Sequence, residues 1–154
     1  MTRSFRQKIQ RQHDCIISIN RSINHINNNI NFNKIDMGYT TDFRGQLEFN
    51  KTLTKDMIET YKKFQQERHE DGYQPNGKPS IWLQWEITEQ DGKYYLEWDG
   101  GEKFYEYVKW LEYVIKYVFK VWDAKLNGSI EWRGEDWDDT GNILVDDNKV
   151  TVKY

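Results

Sequence analysis

The dipeptide Asp91-Gly92, set between two stretches of alternating side chains, limits what this chain can fold into more than any other feature. Upstream, Ile81, Leu83, Trp85 and Ile87 share one face of an extended run; downstream, Tyr94, Leu96 and Trp98 share one face of another. Asp-Gly readily takes the two positive-φ positions of a tight hairpin turn, so the spacing predicts a two-residue β-hairpin. A lone hairpin with an apolar face is marginal in water and has to be covered. The cover follows at once. From Glu102 to Leu126, Phe104, Val108, Leu111, Ile115, Val118 and Trp122 fall on one helical stripe, widened by Tyr107, Val114 and Phe119. Glu106, Lys109, Glu112, Lys116 and Lys120 lie mostly opposite, and Asn127-Gly128 reads as a left-handed C-cap. So wide a stripe suits packing on a sheet.

The flanking elements complete a pattern. Tyr39, Thr41, Phe43, Gly45, Leu47 and Phe49 alternate with polar residues as a half-buried strand. Thr54 is a good N-cap and Asp56 an acid in the first turn; Met57, Ile58, Tyr61 and Phe64 then share a helix face that ends before Gly72. Gly72–Ser80 reads as a loop. Strands are expected at Ser129–Arg133, Ile143–Val145 and Val150–Tyr154, with Asp147-Asn148 turning the last pair. The order β-α-β-β-α-β-β-β, with short links, predicts an α+β fold: a two-layer sandwich of a mostly antiparallel sheet with two helices on one face.

The chain has 154 residues and a net charge of −3, unevenly placed. From Met1 to Asp36, Arg3, Arg6, Lys8, Arg11, Arg21 and Lys34 outnumber Asp14 and Asp36, giving +4 there and −7 beyond. This Asn/Ile-rich arm (1–36) contains no Trp, Tyr, Gly or Pro. Its basic start reads as a nucleic-acid or membrane arm or a transit peptide, and Ile9, Ile16, Ile19, Ile23, Ile26 and Ile30 as a mildly amphipathic helix; the favoured readings are a disordered tail, or upstream sequence read from an early start codon, with Met37 opening the single domain 37–154. No run of about 20 apolar residues is present, so no membrane partner is expected. The lone cysteine, Cys15, excludes an intramolecular disulfide framework, and the expected compartment is the cytoplasm.

The chemical inventory is thin. After Met37 there is one histidine, His69, and no cysteine. That removes Cys–His catalysis and Cys/His zinc sites, no cofactor is expected, and His69 reads as a surface partner of a helix dipole. No phosphate-binding loop or nucleophile elbow occurs. Four features carry the remaining possibilities. Asp136, Asp138, Thr140 and Asp147 match positions 1, 3, 5 and 12 of a calcium loop, a candidate metal set; the plain alternative is an acidic turn. Asp99, Gly100, Gly101 and Lys103 at the mouth of the long helix are a candidate phosphate cradle, with Trp82, Tyr105 and Trp110 to hold a base; the plain alternative is a tight capped turn. Trp82, Tyr95, Trp110, Tyr113 and Trp137 fall off the apolar faces and are candidates for a protein interface, or for a second packing layer. The −7 core opposes duplex nucleic acid as a partner and suits a basic protein surface.

At Met37-Gly38-Tyr39-Thr40-Thr41-Asp42-Phe43-Arg44-Gly45 the chain resembles a family of small, functionally uncharacterised proteins of bacteriophages and bacteria. The likeness resumes at Pro79-Ser80-Ile81-Trp82-Leu83-Gln84-Trp85 and is closest through Glu97-Trp98-Asp99-Gly100-Gly101-Glu102-Lys103-Phe104-Tyr105 and Trp110-Leu111-Glu112-Tyr113. It ends in Asn127-Gly128-Ser129-Ile130-Glu131-Trp132-Arg133-Gly134-Glu135-Asp136, followed by Asp147-Asn148. The arm before Met37 departs from the family, as does the short 72–80 connection. The resemblance implies an origin more than a mechanism: small phage proteins of this sort often act on host machinery.

Together these readings give the expectation of a non-enzymatic binding or inhibitory protein acting on a host protein, with counter-defence as the process the resemblance suggests. The alternative is a protein that binds or sequesters a nucleotide-like small molecule, and a weaker one a metal-assisted, carboxylate-based hydrolase. The arm supplies a direct test. Its Asn-broken isoleucines bury too little to offset roughly 1–2 kcal/mol of backbone entropy per ordered residue. Deleting 1–36 is therefore expected to change the unfolding free energy by no more than about 0.5 kcal/mol, measured by urea titration.

Overall fold

Alternation around Phe43 becomes the central strand of a sheet. The structure, a computed structural model, describes residues 38–69 and 77–154. The arm 1–36 and the Gly72–Asn76 part of the expected loop lie outside the described residues. In chain order the elements are β1 (Thr41–Phe49), α1 (Lys55–Gln66), β2 (Trp85–Gln90), β3 (Lys93–Trp98), α2 (Tyr107–Val114), β4 (Leu126–Gly134), β5 (Thr140–Asp146) and β6 (Lys149–Lys153). The six strands form one sheet, ordered β2-β3-β1-β4-β5-β6, with every neighbouring pair antiparallel. β1 pairs with β4 from Thr41↔Gly134 to Phe49↔Leu126 and with β3 through Leu47↔Leu96.

Both expected tight turns form. Asp91 and Gly92 take φ of 52° and 77°, and Asp147 and Asn148 take 48° and 69°, each joining two strands without a spare residue. Thr54 caps α1, its hydroxyl oxygen accepting the Met57 N–H at 3.2 Å. One sheet face carries Leu47, Phe43, Leu96, Trp85, Ile130, Trp132 and Ile143 into a core shared with Tyr61 of α1 and with Val108, Leu111 and Val114 of α2. Both helices therefore cover the same face, and the fold is a two-layer α+β sandwich. Burial of each fully enclosed aliphatic side chain contributes about 1.5–3 kcal/mol. Among the described residues no helix is long and apolar enough to cross a membrane.

The long helix expected over 102–126 is shorter at both ends. Lys103 and Glu106 adopt left-handed φ of 59° and 55°, so Phe104 enters the core from a loop and the helix begins at Tyr107. Past Val114 the backbone widens into a π-helical turn, Ile115–Phe119, in which the Lys120 N–H reaches the Ile115 carbonyl at 3.0 Å. Phe119 is thereby placed edge-on to Phe49, ring centroids 4.9 Å apart. Asp123, at φ 52°, ends the helical run. Asn127-Gly128 is not its cap but part of β4: Gly128 has φ 141°, and a Cβ there would stand 2.7 Å from the Gln46 carbonyl. Close backbone approach between strands, not helix termination, is what requires this glycine.

His69 is also placed differently. α1 ends at Gln66, and the extended Glu67 turns the chain inward. His69 is 2% exposed, with its ring 4.7 Å from that of Phe64 and 5.0 Å from that of Trp110. Its backbone N–H donates to the Ile81 carbonyl at 2.8 Å, while its Nε2 has no hydrogen-bond partner among the described residues. Burial, and secondarily Lys78, lower its pKa below the ordinary 6.5, against a hydrogen bond to the Phe64 backbone and the charge of Glu67. Above pH 6.5 the ring is neutral in both folded and unfolded chains. As pH falls below 6.5 the unfolded chain takes the proton first, so stability is lost with acidification. The unfolding free energy of the native chain minus that of His69→Phe is therefore expected to fall between pH 7.5 and 5.5, read from urea titrations at each pH. A difference independent of pH would show the ring to titrate normally.

Candidate functional site

The antiparallel order gathers the start of β2, the end of β3, the start of β1, the end of β4 and the start of β5 at one end of the sheet, as the pairs Trp85↔Trp98, Thr41↔Gly134 and Arg133↔Thr140 record. The first turn of α2 joins them, because Trp85 Nε1 donates to the Tyr107 carbonyl at 2.9 Å. Four segments crown this end: 38–40, 77–84, 99–106 and 135–139. They carry Trp82, Tyr105 and Trp137, which are 47%, 42% and 88% exposed, with Tyr154 at the end of the neighbouring β6. The same segments carry Asp99, Glu102 and Glu106, and Glu135, Asp136, Asp138 and Asp139, against Lys78 and Lys103. This is an acidic rim set with aromatic side chains.

At the β2 edge the rim opens into a cleft of about 330 Å³ lined by Gln65, Gln66, Trp82, Leu83, Gln84, Glu86 and Asp99. Asp99 is held in place: its Oδ1 accepts the Gly101 N–H at 2.8 Å and its Oδ2 the Gln65 amide at 3.0 Å. Gln84, 7% exposed, braces the floor by donating to the Glu102 carbonyl at 2.8 Å and accepting from Trp98 Nε1 at 3.2 Å. Burial raises the Asp99 carboxyl above the usual range despite these two hydrogen bonds. Burial also raises Glu86, reinforced by the negative charges of Asp99 and Glu97 and opposed by Lys62. Two carboxylates that resist ionisation face one opening, and the field there favours a cation over an anion.

At the other side of the rim a single carboxylate organises the β4–β5 connection. Asp139 Oδ2 accepts the Tyr39 hydroxyl at 2.7 Å and Oδ1 accepts Trp132 Nε1 at 3.1 Å. The Tyr39 oxygen in turn accepts the Asp136 N–H at 3.2 Å, and Glu135 Oε1 accepts the Thr40 N–H at 2.8 Å. Backbone bonds from Gly134 N–H to the Asp139 carbonyl (2.7 Å) and from Asp139 N–H to the Asp136 carbonyl (3.0 Å) close the loop. Gly134 leaves the room: a Cβ there would occupy the space of the Tyr39 hydroxyl and the Asp139 carboxylate.

The expected site residues separate under this geometry. Gly100 and Gly101 do not sit at a helix N-terminus, since α2 begins at Tyr107, and the Gly101 N–H is already taken by Asp99. Lys103 lays its methylene stem against Gly38. Trp82 and Asp99 do share the cleft, with Tyr105 nearby: Ser80 Oγ lies 3.5 Å from the Trp82 carbonyl and 3.1 Å from that of Tyr105. Trp110 is not exposed at all. It is 0% exposed, its Nε1 donating to Ser80 Oγ at 2.7 Å, because the flank of α2 is covered by Phe64 and the chain around Ser80 as well as by the sheet. Tyr113 lies parallel to Phe64 and is half-buried, Tyr95 stands half-buried on the opposite sheet face, and Trp137 stands free at the hairpin tip. The calcium-loop spacing does not become a spatial cluster. Asp136, Asp138 and Thr140 lie at one end of β5, while Asp147 pairs with Lys125 at the other, a seven-residue strand or roughly 20 Å away. Among the described residues no three His, Cys, Asp or Glu side chains converge on a metal position.

Asp139, Tyr39, Gln84, Gln65 and Glu86 are the site residues that the sequence did not single out. Tyr39→Phe tests the brace. It removes the part-buried donor to the Asp139 carboxylate, while water can replace it at the exposed Asp136 N–H, so a loss of about 1.5–3 kcal/mol in unfolding free energy, the range for a hydrogen bond to a charged group, is expected from urea titration. A change within about 0.5 kcal/mol would mean that the loop holds without it. Compared with known protein families, with curated proteins and with solved structures, the chain matches none of them.

Proposed function

We propose that this is a non-enzymatic binding protein of phage type that inhibits a host protein in the cytoplasm, and that counter-defence is the process it serves. The observation that carries the reading is the acidic rim at one end of the sheet, where Trp82, Tyr105 and Trp137 stand exposed among carboxylates. Large aromatic side chains supply most of the affinity at protein interfaces, and surrounding charge selects the partner and speeds encounter. A partner with a basic surface fits both terms. The phage origin and the host target rest on the resemblance at the Glu97–Tyr105 and Asn127–Asp136 motifs.

A nucleotide-like ligand is the second reading, favoured by the cleft of about 330 Å³ beside Trp82, a volume that suits a small molecule. The occupied Gly101 N–H and the Glu86–Asp99 pair weigh against a phosphate there. Two measurements separate the readings. With the tagged full chain as bait in lysate of the bacterial host, one specific protein is expected at low salt, released by about 0.5 M salt as screening removes the attraction. Retention of nothing specific would sink the protein-binding reading. In a thermal-shift panel of nucleotides and cyclic dinucleotides no change is expected. A ligand at 100 times its Kd would add about 2.7 kcal/mol, and such a rise would move the conclusion to the small-molecule reading.

A further inference from the structure

The β4–β5 connection is built more heavily than a turn requires. The same sheet joins β2 to β3 and β5 to β6 with two residues each, whereas β4 and β5 are joined by residues 135–139, with Trp137 at the tip. A tryptophan at 88% exposure presents the largest apolar surface a residue can offer, and the core makes no use of it. Yet the loop under it is fixed by Tyr39, by the Asp139 carboxylate and by the Glu135–Thr40 contact. Fixing a side chain's backbone before it meets a partner removes the ordering cost from the binding step.

We infer that Trp137 is the anchor by which this protein seats itself in an apolar pocket on its partner protein, a pocket rimmed by lysine or arginine. The inference rests on the protein-binding reading above and names the contact. Charge selects the occupant. Glu135, Asp136 and Asp138 are exposed around the indole, so a basic rim is attracted as the ring goes in. The same carboxylates repel the acidic rim of a second copy of this chain and an anionic bilayer, the other two surfaces that take up exposed tryptophan. Trp82 is the lesser candidate, since it is about half covered and lines its own cleft. Tyr39 and Asp139 are positioning residues.

The test places a benzophenone-bearing amino acid at position 137, at 82 or at 117 of the full chain, expressed in the bacterial host and irradiated. Position 137 is expected to give one covalent host-protein adduct, mapped by mass spectrometry to an apolar pocket with Lys or Arg at its edge, and position 117 none. With that protein purified, Trp137→Ala is expected to weaken binding at least 30-fold, about 2 kcal/mol, with an unchanged thermal midpoint. Asp138→Asn should slow association and flatten its salt dependence, and Tyr39→Phe should weaken binding while Trp137 remains. An adduct from position 82 with none from 137 would overturn the anchor and leave the binding reading standing. Adducts from neither would overturn both. A cross-linked dimer of the chain, or Trp137-dependent pelleting with phosphatidylglycerol vesicles, would likewise overturn the assigned occupant.

Discussion

Phe43 is the side chain around which the rest is arranged. Four rings meet it at steep angles, those of Tyr107, Trp85, Trp98 and Phe104, with centroids 4.8, 5.2, 5.5 and 5.8 Å away. Edge-to-face contact adds about 0.5–1.5 kcal/mol per aromatic pair beyond the area buried, and here one residue collects four of them. Those four rings belong to β2, β3, the 99–106 loop and α2. The first strand is thus tied to its neighbour β3, to β2 beyond it, and to the loop and helix above. Phe104 can join only because the loop turns left-handed at Lys103 and Glu106, so the strain in that loop and the packing of Phe43 are two sides of one arrangement.

The rim inherits its rigidity from this cluster. Trp98 and Trp85 send their indole N–H groups outward to Gln84, the Gly101 carbonyl and the Tyr107 carbonyl, so apolar rings below and loop backbone above are joined by the same residues. Trp132 repeats the device, with its ring in the core and its N–H on Asp139. A buried tryptophan needs a partner for its nitrogen, and here the partners are the segments that carry the exposed aromatics.

What the sequence made legible was local chemistry. Asp91-Gly92, Asp147-Asn148 and the Thr54 cap work through residues within four positions of one another, and the strand alternation lies in a window of eleven or fewer. What it hid was contact between distant segments. Tyr39 and Asp139 are separated by 100 positions, and no periodicity points from one to the other. Trp110 looked exposed because one helical stripe was assumed to be the whole buried surface, whereas α2 is also covered on its flank by Phe64. His69 looked like a helix end on the surface because the inward turn at Glu67 leaves no compositional trace. The calcium-loop spacing misled for the opposite reason: β5 keeps Asp147 near in sequence and far in space. Of the expected aromatics, Trp82 and Trp137 were visible by parity and by acidic company, and both stand at the rim.

The position of β1 has a consequence for how the molecule assembles. β2 with β3, and β4 through β6, are meanders that close over two- to five-residue links and can form early. β1 comes first in the sheet-forming sequence but lies between β3 and β4, with Thr41 against Gly134 near the far end of the chain. Its insertion closes the longest loop in the fold and raises the contact order, which slows folding. Until then β3 and β4 are two open edges. Unpaired edges are templates for aggregation, so seating this one strand protects both, and Phe43 is what holds it there.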